Sequence, residues 1–262
     1  MREQIEFIRE YYNADPQVEW DRLQKQFPYE KYITTHVMDR YIQPGSAILD
    51  IGGGPGHYSI HYAGKGHDVT LLDLSDENIR FAKEKAGQYR VSIKAVQGNA
   101  LDFSRFADQS FDAVFLMGPL YHLANEENRR QALCEAARVL KPGGYLFSSF
   151  ILMYGGAIFM LRDWRERILQ PDQKANFDHA AQGISDYIQA SFTFAHLTTI
   201  ADARRLLDSF VNLRTVTVFG QESILAPYAN VLRESPDEIR MAWYEYALKF
   251  CDKEVLHGKM WD

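Results

Sequence analysis

The residues with the clearest chemical potential form a glycine-rich loop at positions 50–56, which read D-I-G-G-G-P-G. An apolar run of strand character precedes this loop, and a helical pattern follows it. Glycine lets the backbone turn sharply and lets a ligand approach it closely. The N terminus of the following helix offers unpaired N–H groups. The pattern predicts a ligand site that contains Asp50, Gly52, Gly53, Gly54 and Gly56.

The residues around the loop distinguish between two classes of cofactor. A dinucleotide fingerprint, G-x-G-x-x-G, fits Gly52 and Gly54, but His57 stands where the third glycine is required. The carboxylate of Asp50 is unfavourable beside a pyrophosphate. It is favourable beside a cofactor that carries an ammonium and a sulfonium group. The loop therefore favours S-adenosylmethionine over a dinucleotide.

The same loop matches the D-x-G-x-G-x-G motif of class I S-adenosylmethionine-dependent methyltransferases, a family that the chain resembles over roughly residues 45–151. The resemblance implies that Asp73, 21 residues after Gly52, binds the ribose hydroxyls, with Leu74 beside it. The junction R-V-L-K-P-G-G at 138–144 resembles the one found in many small-molecule methyltransferases.

The resemblance also implies which residues hold the adenine and the methionine portion of the cofactor. The segment 97–101, Q-G-N-A-L, resembles the G-D-A segment of the family, which implies that Asn99, Ala100 and Leu101 hold the adenine. An amide replaces the usual carboxylate at Asn99, and it still offers an acceptor to the adenine amino group. A plain turn role for Asn99 stays open. Met117 is expected to lie against the methionine portion, with core packing as its alternative.

Chemistry at this site needs little from the protein, because a methyl group on a sulfonium is already activated and alignment supplies most of the rate. The segment 118–123, G-P-L-Y-H-L, lacks the N-P-P-Y motif of enzymes that methylate nucleobase amino groups. Tyr121 and His122 are the candidate catalytic residues, and His122 is the candidate base. Packing of His122 beside the cofactor is the alternative. His196 is interpreted as a surface histidine.

The elements that must position these residues alternate between strands and helices. Apolar runs predict strands at 47–51, 68–74, 91–96, 111–117 and 145–151. Helices are predicted at 57–65, from the cap Ser75 to 88, and at 126–141, with a later helix at 198–210, a strand at 213–219 and a helical region at 229–255. This alternation predicts an α/β fold with a doubly wound, mostly parallel, Rossmann-like sheet.

Four segments follow from this pattern. They are a helical N-terminal cap at 1–45, a Rossmann-like cofactor-binding core at 46–152, an inserted lid at 153–197 and a C-terminal completion of the core at 198–262. Phe150, Tyr154, Phe159 and Trp164 are expected to line the lid. Arg162 and its basic neighbours interleave with acids, which indicates a solvated helix face.

Composition limits the partners. The 262 residues carry a net charge of −6, which disfavours a nucleic-acid partner. The two cysteines form no C-x-x-C pair, and no metal site is predicted. The first residues, M-R-E-Q-I-E, lack the apolar core of a signal peptide, and the uncharged stretch 142–161 contains four glycines. A cytoplasmic protein without a membrane span is expected.

The sequence therefore predicts a methyltransferase that acts on a small, partly apolar molecule. Three alternatives stay open: an RNA methyltransferase, an NAD-dependent oxidoreductase, and a non-enzymatic protein that senses the cofactor. The sequence leaves the acceptor atom and the oligomeric state undetermined.

Overall fold

A computed structural model describes residues 2–171, 174, 178 and 195–252. The described residues divide into two compact units. The first unit comprises residues 2–20, 41–151 and 195–197, and the second comprises 21–40, 152–171, 174, 178 and 198–252. The domain boundaries predicted from the sequence stay predictions. Part of the predicted lid, and the suggested last strand at 255–261, lie outside the described residues.

A five-stranded parallel sheet forms the centre of the first unit. Its strands are β1 (Ala47–Ile51), β2 (Asp68–Asp73), β3 (Lys94–Gln97), β4 (Phe111–Leu116) and β5 (Leu140–Ser148). They lie in the order β3-β2-β1-β4-β5, and every neighbouring pair is parallel. The predicted α/β class with a mostly parallel sheet is confirmed.

Helices precede, separate and follow these strands along the chain. Those up to β5 are α1 (Arg2–Ala14), α2 (Pro16–Asp21), α3 (Pro28–Met38), α4 (His57–Gly64), α5 (Asp76–Gln88) and α6 (Glu126–Val139). Those that follow are α7 (Met153–Asp163), α8 (Ile200–Asp208), α9 (Ala229–Glu234) and α10 (Asp237–Ala247). The predicted cap of α5 is confirmed, because the Ser75 hydroxyl accepts a hydrogen bond from the Asn78 N–H at 3.0 Å.

The position of β1 explains where a ligand site forms. β1 lies between β2 and β4, and Ile51 pairs with Leu72 on one side and with Leu116 on the other. Ile48 and Leu49 are buried, as expected for a strand covered on both faces. The loops after β1, β2 and β4 therefore meet at one edge of the sheet, where open parallel sheets bind ligands.

Several predicted boundaries around the sheet are wrong, and β5 spans Leu140–Ser148 instead of 145–151. Strand β3 begins at Lys94 rather than at residue 91, because Lys94 is the first residue that pairs with β2. Helix α6 ends at Val139, and Leu140 already has strand dihedrals and pairs with Phe111. The P-G-G segment at 142–144 thus lies inside β5, at an irregularity in the register with β4. Proline is tolerated in a sheet at such a position.

The strand predicted at 213–219 is also wrong. Residues 213–220 have no regular secondary structure, and Val211 and Val216 are exposed. The alternating pattern is typical of a strand, but the five-stranded sheet ends at β5 within the described residues. A strand without a paired neighbour leaves its backbone groups to water, which explains the irregular conformation.

In the second unit, the side chain of Arg162 is buried, although the sequence predicts that it lies on a solvated helix face. The guanidinium of Arg162 lies over the ring of Phe27 at 4.8 Å and donates to the carbonyl of Ala226 at 2.6 Å. Its side chain is 7% exposed, so the prediction of a solvated face is wrong for Arg162. In the described part of the chain, every helix is too short or too polar to cross a membrane.

Candidate active site

The glycine loop after β1 has the conformation that its residues predict. Gly52, Gly54 and Gly56 have φ angles of +65°, +55° and +89°. Residues with a side chain rarely adopt such positive φ angles, whereas glycine adopts them readily. Gly53 has another reason to be glycine. A Cβ atom at Gly53 would lie 2.2 Å from Leu71 Cδ1 and 2.6 Å from Asp50 Oδ2. The loop therefore has space for a further atom beside Gly54, whereas Gly53 is packed directly on the side chains of the strands.

Asp50 is a buried acid directly beneath this loop. Its side chain accepts a hydrogen bond from the Ser59 hydroxyl at 2.7 Å. Burial raises the pKa of Asp50 from 3.8 to about 7, although the Ser59 hydrogen bond lowers it, and the nearby charge of Asp73 raises it further. A carboxylate in this position gains from any cation that a ligand brings to it.

Asp73, at the end of β2, connects the glycine loop to the start of α5. One carboxylate oxygen accepts from the Gly54 N–H at 2.8 Å. The other accepts from the Ser75 N–H at 2.9 Å and from the Asn78 side-chain amide at 3.3 Å. Burial raises the pKa of Asp73, and these three hydrogen bonds lower it. Leu74 follows directly, and its carbonyl accepts from the side chain of Gln97.

The loop after β3 lies beside the end of β2, because the Gly98 N–H donates to the Asp73 carbonyl at 2.9 Å. Asn99 Oδ1 accepts from the Leu101 N–H at 3.0 Å, across Ala100. This short side-chain turn accounts for an asparagine here on structural grounds. The adenine role implied by resemblance stays a prediction.

The loop after β4 approaches the glycine loop from the other side. Met117 follows the last residue of β4, and its carbonyl accepts a hydrogen bond from the Ser149 hydroxyl. A Cβ atom at Gly118 would lie 2.8 Å from the Gly52 carbonyl oxygen. The two loops therefore touch through their backbones.

Tyr121 and His122 lie in and just after a single 3₁₀ turn, Pro119–Tyr121. The Tyr121 carbonyl accepts from the His196 N–H at 2.6 Å. His196 is 7% exposed, so its interpretation as a surface histidine is wrong. His122 is buried as well. The structure thus brings both histidines to the same loop, which the sequence distance between them does not predict.

Two residues of α1 join the site and were missed from the sequence. The Tyr12 hydroxyl lies 2.8 Å from His122 Nε2. The neighbouring Asn13 accepts from the Ser75 hydroxyl at 2.5 Å. The sequence shows only that residues 1–45 are helical and rich in aromatic residues. No spacing rule connects α1 to residues 62 or 110 positions away.

The next helix attaches to the start of α4. The ring of Trp20 stacks on His57 with centroids 4.0 Å apart, and His57 Nε2 lies 2.8 Å from the Trp20 carbonyl oxygen. His57 therefore has a packing role at the position where a dinucleotide fingerprint requires glycine. Together, the contacts of Tyr12, Asn13 and Trp20 hold residues 12–20 against the loops of the first unit.

The central part of the chain is similar to known proteins. Residues 49–148 match the protein family described as "Methyltransferase domain". The chain is 39% identical over 103 residues to the demethylmenaquinone methyltransferase of Renibacterium salmoninarum, covering 39% of this chain and 40% of that protein. It is 36% identical over 119 residues to an O-methyltransferase of Aspergillus nomiae, covering 43% of this chain and 49% of that protein. The chain thus spans less than half the length of these curated relatives.

Solved structures show the same fold. An S-adenosylmethionine-dependent methyltransferase of Methanosarcina mazei superposes with a TM-score of 0.51 at 26% identity, covering 66% of this chain and 82% of the other. The protein PH0226 of Pyrococcus horikoshii superposes with a TM-score of 0.52 at 22% identity, covering 77% of this chain and 89% of the other. The second likeness concerns the fold alone.

Proposed function

We propose that this chain, whose residues 49–148 form a class I S-adenosylmethionine-dependent methyltransferase domain, transfers a methyl group to a small, partly apolar molecule. The family match confirms the predicted domain family and enzyme class, and the predicted cofactor is the methyl donor of that family. The activity of the whole chain and its substrate are the proposal. The single observation that carries it is the buried acid beneath a positive-φ glycine loop at the carboxyl edge of the sheet.

The residues present fit this cofactor. Burial disfavours the ionised form of the Asp50 carboxyl group. The cofactor brings an ammonium and a sulfonium, and these positive charges would stabilise that ionised form. Gly54 leaves space beside the backbone just after β1, because a Cβ atom there would meet only Asn78 Nδ2, at 3.9 Å. We assign the ribose to Asp73, with Leu74 beside it. These assignments extend to Gly53 and Gly56 in the same loop.

The remaining predicted contacts follow from the loops at this edge. We assign the adenine to Asn99, Ala100 and Leu101, and the methionine portion to Met117 and the loop after β4. The cofactor supplies an activated methyl group when bound. The protein aligns the acceptor with that group and excludes water, and such alignment accounts for most of the rate in a displacement of this kind.

The substrate class rests on the proteins that this chain resembles and on the site. The relatives include a demethylmenaquinone methyltransferase and an O-methyltransferase. Tyr121 and His122 lie in the loop after β4, and we propose that the acceptor approaches there and that both are catalytic residues. A cytoplasmic location stays a prediction, and so does the lack of a nucleic-acid partner, which the net charge of −6 supports.

The proposal is tested by incubating the protein with S-adenosylmethionine that carries a deuterated methyl group. The acceptor panel contains hydroxyarenes, amines, thiols and a short RNA, and mass spectrometry detects the label. We expect labelled product from a small acceptor and none from RNA. Label on RNA alone would favour an RNA methyltransferase. Tight cofactor binding with no labelled product from any acceptor would favour a sensor.

The burial of Asp50 predicts a pH dependence with a defined sign. Its folded-state pKa of about 7 lies above its unfolded value. Between about pH 4 and pH 7 the folded protein keeps a proton that the unfolded chain has lost, so this group lowers stability as the pH rises through that window. A bound cation favours the ionised carboxylate, so cofactor affinity should increase with pH up to about 7 and then level off.

The variant Asp50→Asn is the matched comparison, because it keeps the shape of the side chain and an oxygen for the Ser59 hydrogen bond. Thermal melting with and without S-adenosylhomocysteine, between about pH 5 and pH 8, measures both effects. The wild type should show a ligand-induced shift in Tm that grows with pH, and Asp50→Asn a smaller and flatter one. Identical pH profiles for the two proteins would contradict the assignment of Asp50.

A further inference from the structure

The hydroxyl of Tyr12 and the imidazole of His122 form a hydrogen-bonded pair in the first unit. Tyr12 Oη lies 2.8 Å from His122 Nε2, and the two rings meet edge to face with centroids 5.4 Å apart. His122 is buried and Tyr12 is half-buried. The hydrogen bond and the ring contact together fix the distance between the two side chains and the angle between their rings.

The position of α1 places this pair beside the glycine loop. Asn13, next to Tyr12 in the chain, bonds to Ser75 after β2, whereas Tyr12 bonds to His122 after β4. Strands β2 and β4 flank β1, and the two outer strands of such a trio lie about 10 Å apart. Residues 12 and 13 therefore span the end of β1, where the glycine loop begins.

One further aromatic ring packs on each member of the pair. The Tyr11 ring packs edge to face on Tyr12 with centroids 5.2 Å apart. The Tyr121 ring contacts His122 with centroids 4.7 Å apart. The Tyr121 ring presents an apolar face beside the polar atoms of the pair, a combination that suits an aromatic molecule with a hydroxyl group.

We infer that Tyr12 and His122 act together as the proton acceptor for the hydroxyl group of a hydroxyarene substrate, an inference that rests on the proposed methyl transfer. The substrate oxygen forms a bond to the methyl carbon while the bond from that carbon to the sulfonium sulfur breaks, and the electron pair stays on sulfur. The hydroxyl proton passes to Tyr12 Oη as the Tyr12 proton passes to His122 Nε2. One positive charge disappears from sulfur and one appears on the imidazole, so charge and atoms balance.

The chemistry of the two side chains supports these two roles in proton transfer. A tyrosine hydroxyl both donates and accepts, so it can receive one proton while it releases another. Histidine exchanges a proton readily near neutral pH and releases it to solvent after transfer. A neutral pair of this kind lacks the negative charge that would attract an ammonium. The pair therefore favours a hydroxyarene over an amine.

The variant Tyr12→Phe removes the hydroxyl and keeps the ring, and Tyr11→Phe is its matched control on the same helix. Two acceptors are compared at mildly alkaline pH: catechol, which is mostly protonated, and 4-nitrocatechol, which is already ionised. We expect Tyr12→Phe to lower kcat with catechol by about 10²–10⁴-fold, the range for general acid–base catalysis. With 4-nitrocatechol, kcat should change little, and Tyr11→Phe should behave like the wild type with both acceptors.

A second measurement needs no turnover. In the cofactor-free protein, the imidazole nitrogen signals of His122 in ¹H–¹⁵N NMR report its hydrogen bond. Tyr12→Phe should shift the Nε2 signal, and Tyr11→Phe should leave it in place. An unchanged Nε2 signal in Tyr12→Phe would show that the pair does not exist in solution, whatever the activity data show.

The kinetic outcomes separate this inference from the proposed function. Equal losses of kcat with both catechols would mean a structural role for Tyr12 and would overturn the inference. Methylation of amines or thiols by the wild type, with neither catechol accepted, would also overturn it and would leave methyl transfer to a small molecule intact. A lack of product from every acceptor in the panel would overturn both.

Discussion

Replacement of Gly53 by alanine is expected to disrupt the glycine loop. The new Cβ atom would lie 2.2 Å from Leu71 Cδ1 and 2.6 Å from Asp50 Oδ2. Leu71 and Asp50 are both buried, so neither side chain has free space into which to move. Overpacking of this kind costs about 1–3 kcal/mol in the free energy of unfolding.

The same substitution should weaken cofactor binding, because the displaced loop lies over Asp50. We expect an affinity for S-adenosylhomocysteine about 10–100-fold lower than that of the wild type, since about 1.4 kcal/mol corresponds to a factor of ten. Thermal melting measures the loss of stability, and calorimetric titration measures the loss of affinity.

Gly87→Ala is the matched control, because a Cβ atom at Gly87 meets nothing within 4 Å and the residue lies in α5. Alanine is the better helix former, so stability should stay equal or increase by about 0.5–1 kcal/mol. Cofactor affinity should match that of the wild type. Equal affinities for Gly53→Ala and Gly87→Ala would show that the loop does not hold the cofactor.

Asp73→Asn is expected to have the second large effect. The carboxylate accepts hydrogen bonds from the Gly54 N–H, the Ser75 N–H and the Asn78 amide. An asparagine turns one of its two acceptor oxygens into an N–H donor that faces another donor. A buried group left without its partner costs about 1–3 kcal/mol, and the free energy of unfolding should fall by that amount.

Cofactor affinity should fall as well, if the proposed contact with the ribose hydroxyls exists. A hydrogen bond to a charged group contributes about 1.5–3 kcal/mol, which corresponds to a loss of about 10–100-fold. Calorimetric titration with S-adenosylhomocysteine at a temperature well below the Tm of the variant separates this effect from unfolding. Unchanged affinity in a destabilised Asp73→Asn would restrict Asp73 to its role at the start of α5.

Asp68→Asn is the control for charge on the same strand. Asp68 begins β2, is exposed, and pairs with Lys94 at 2.9 Å. Exposed ion pairs contribute about 0–1 kcal/mol, so this variant should melt close to the wild type and bind the cofactor equally well.

The sequence predicted the parts of the molecule that depend on local pattern. The strand that contains Asp50, the cap at Ser75 and the buried run of β4 each follow from residues next to one another in the chain. The glycine loop was predicted for the same reason, because Asp50 and the three glycines with positive φ lie within seven consecutive residues. Local propensity and the sheet agree in these places.

The parts that were missed depend on contacts between distant residues. Tyr12 and His122 are 110 positions apart, and only the folded chain shows that they meet. The start of β5 was misplaced because pairing of Leu140 with Phe111, rather than the P-G-G segment, decides where the helix ends. The prediction of a strand at 213–219 was wrong because an alternating pattern alone does not provide a neighbouring strand to pair with.

The central claim is that the loop at residues 50–56 holds S-adenosylmethionine, and isothermal titration of the unmodified protein tests it most directly. S-adenosylhomocysteine and NADH are titrated separately under the same conditions. We predict binding of S-adenosylhomocysteine at one site per chain and no binding of NADH. Binding of NADH without binding of S-adenosylhomocysteine would contradict the claim and would favour a dinucleotide enzyme.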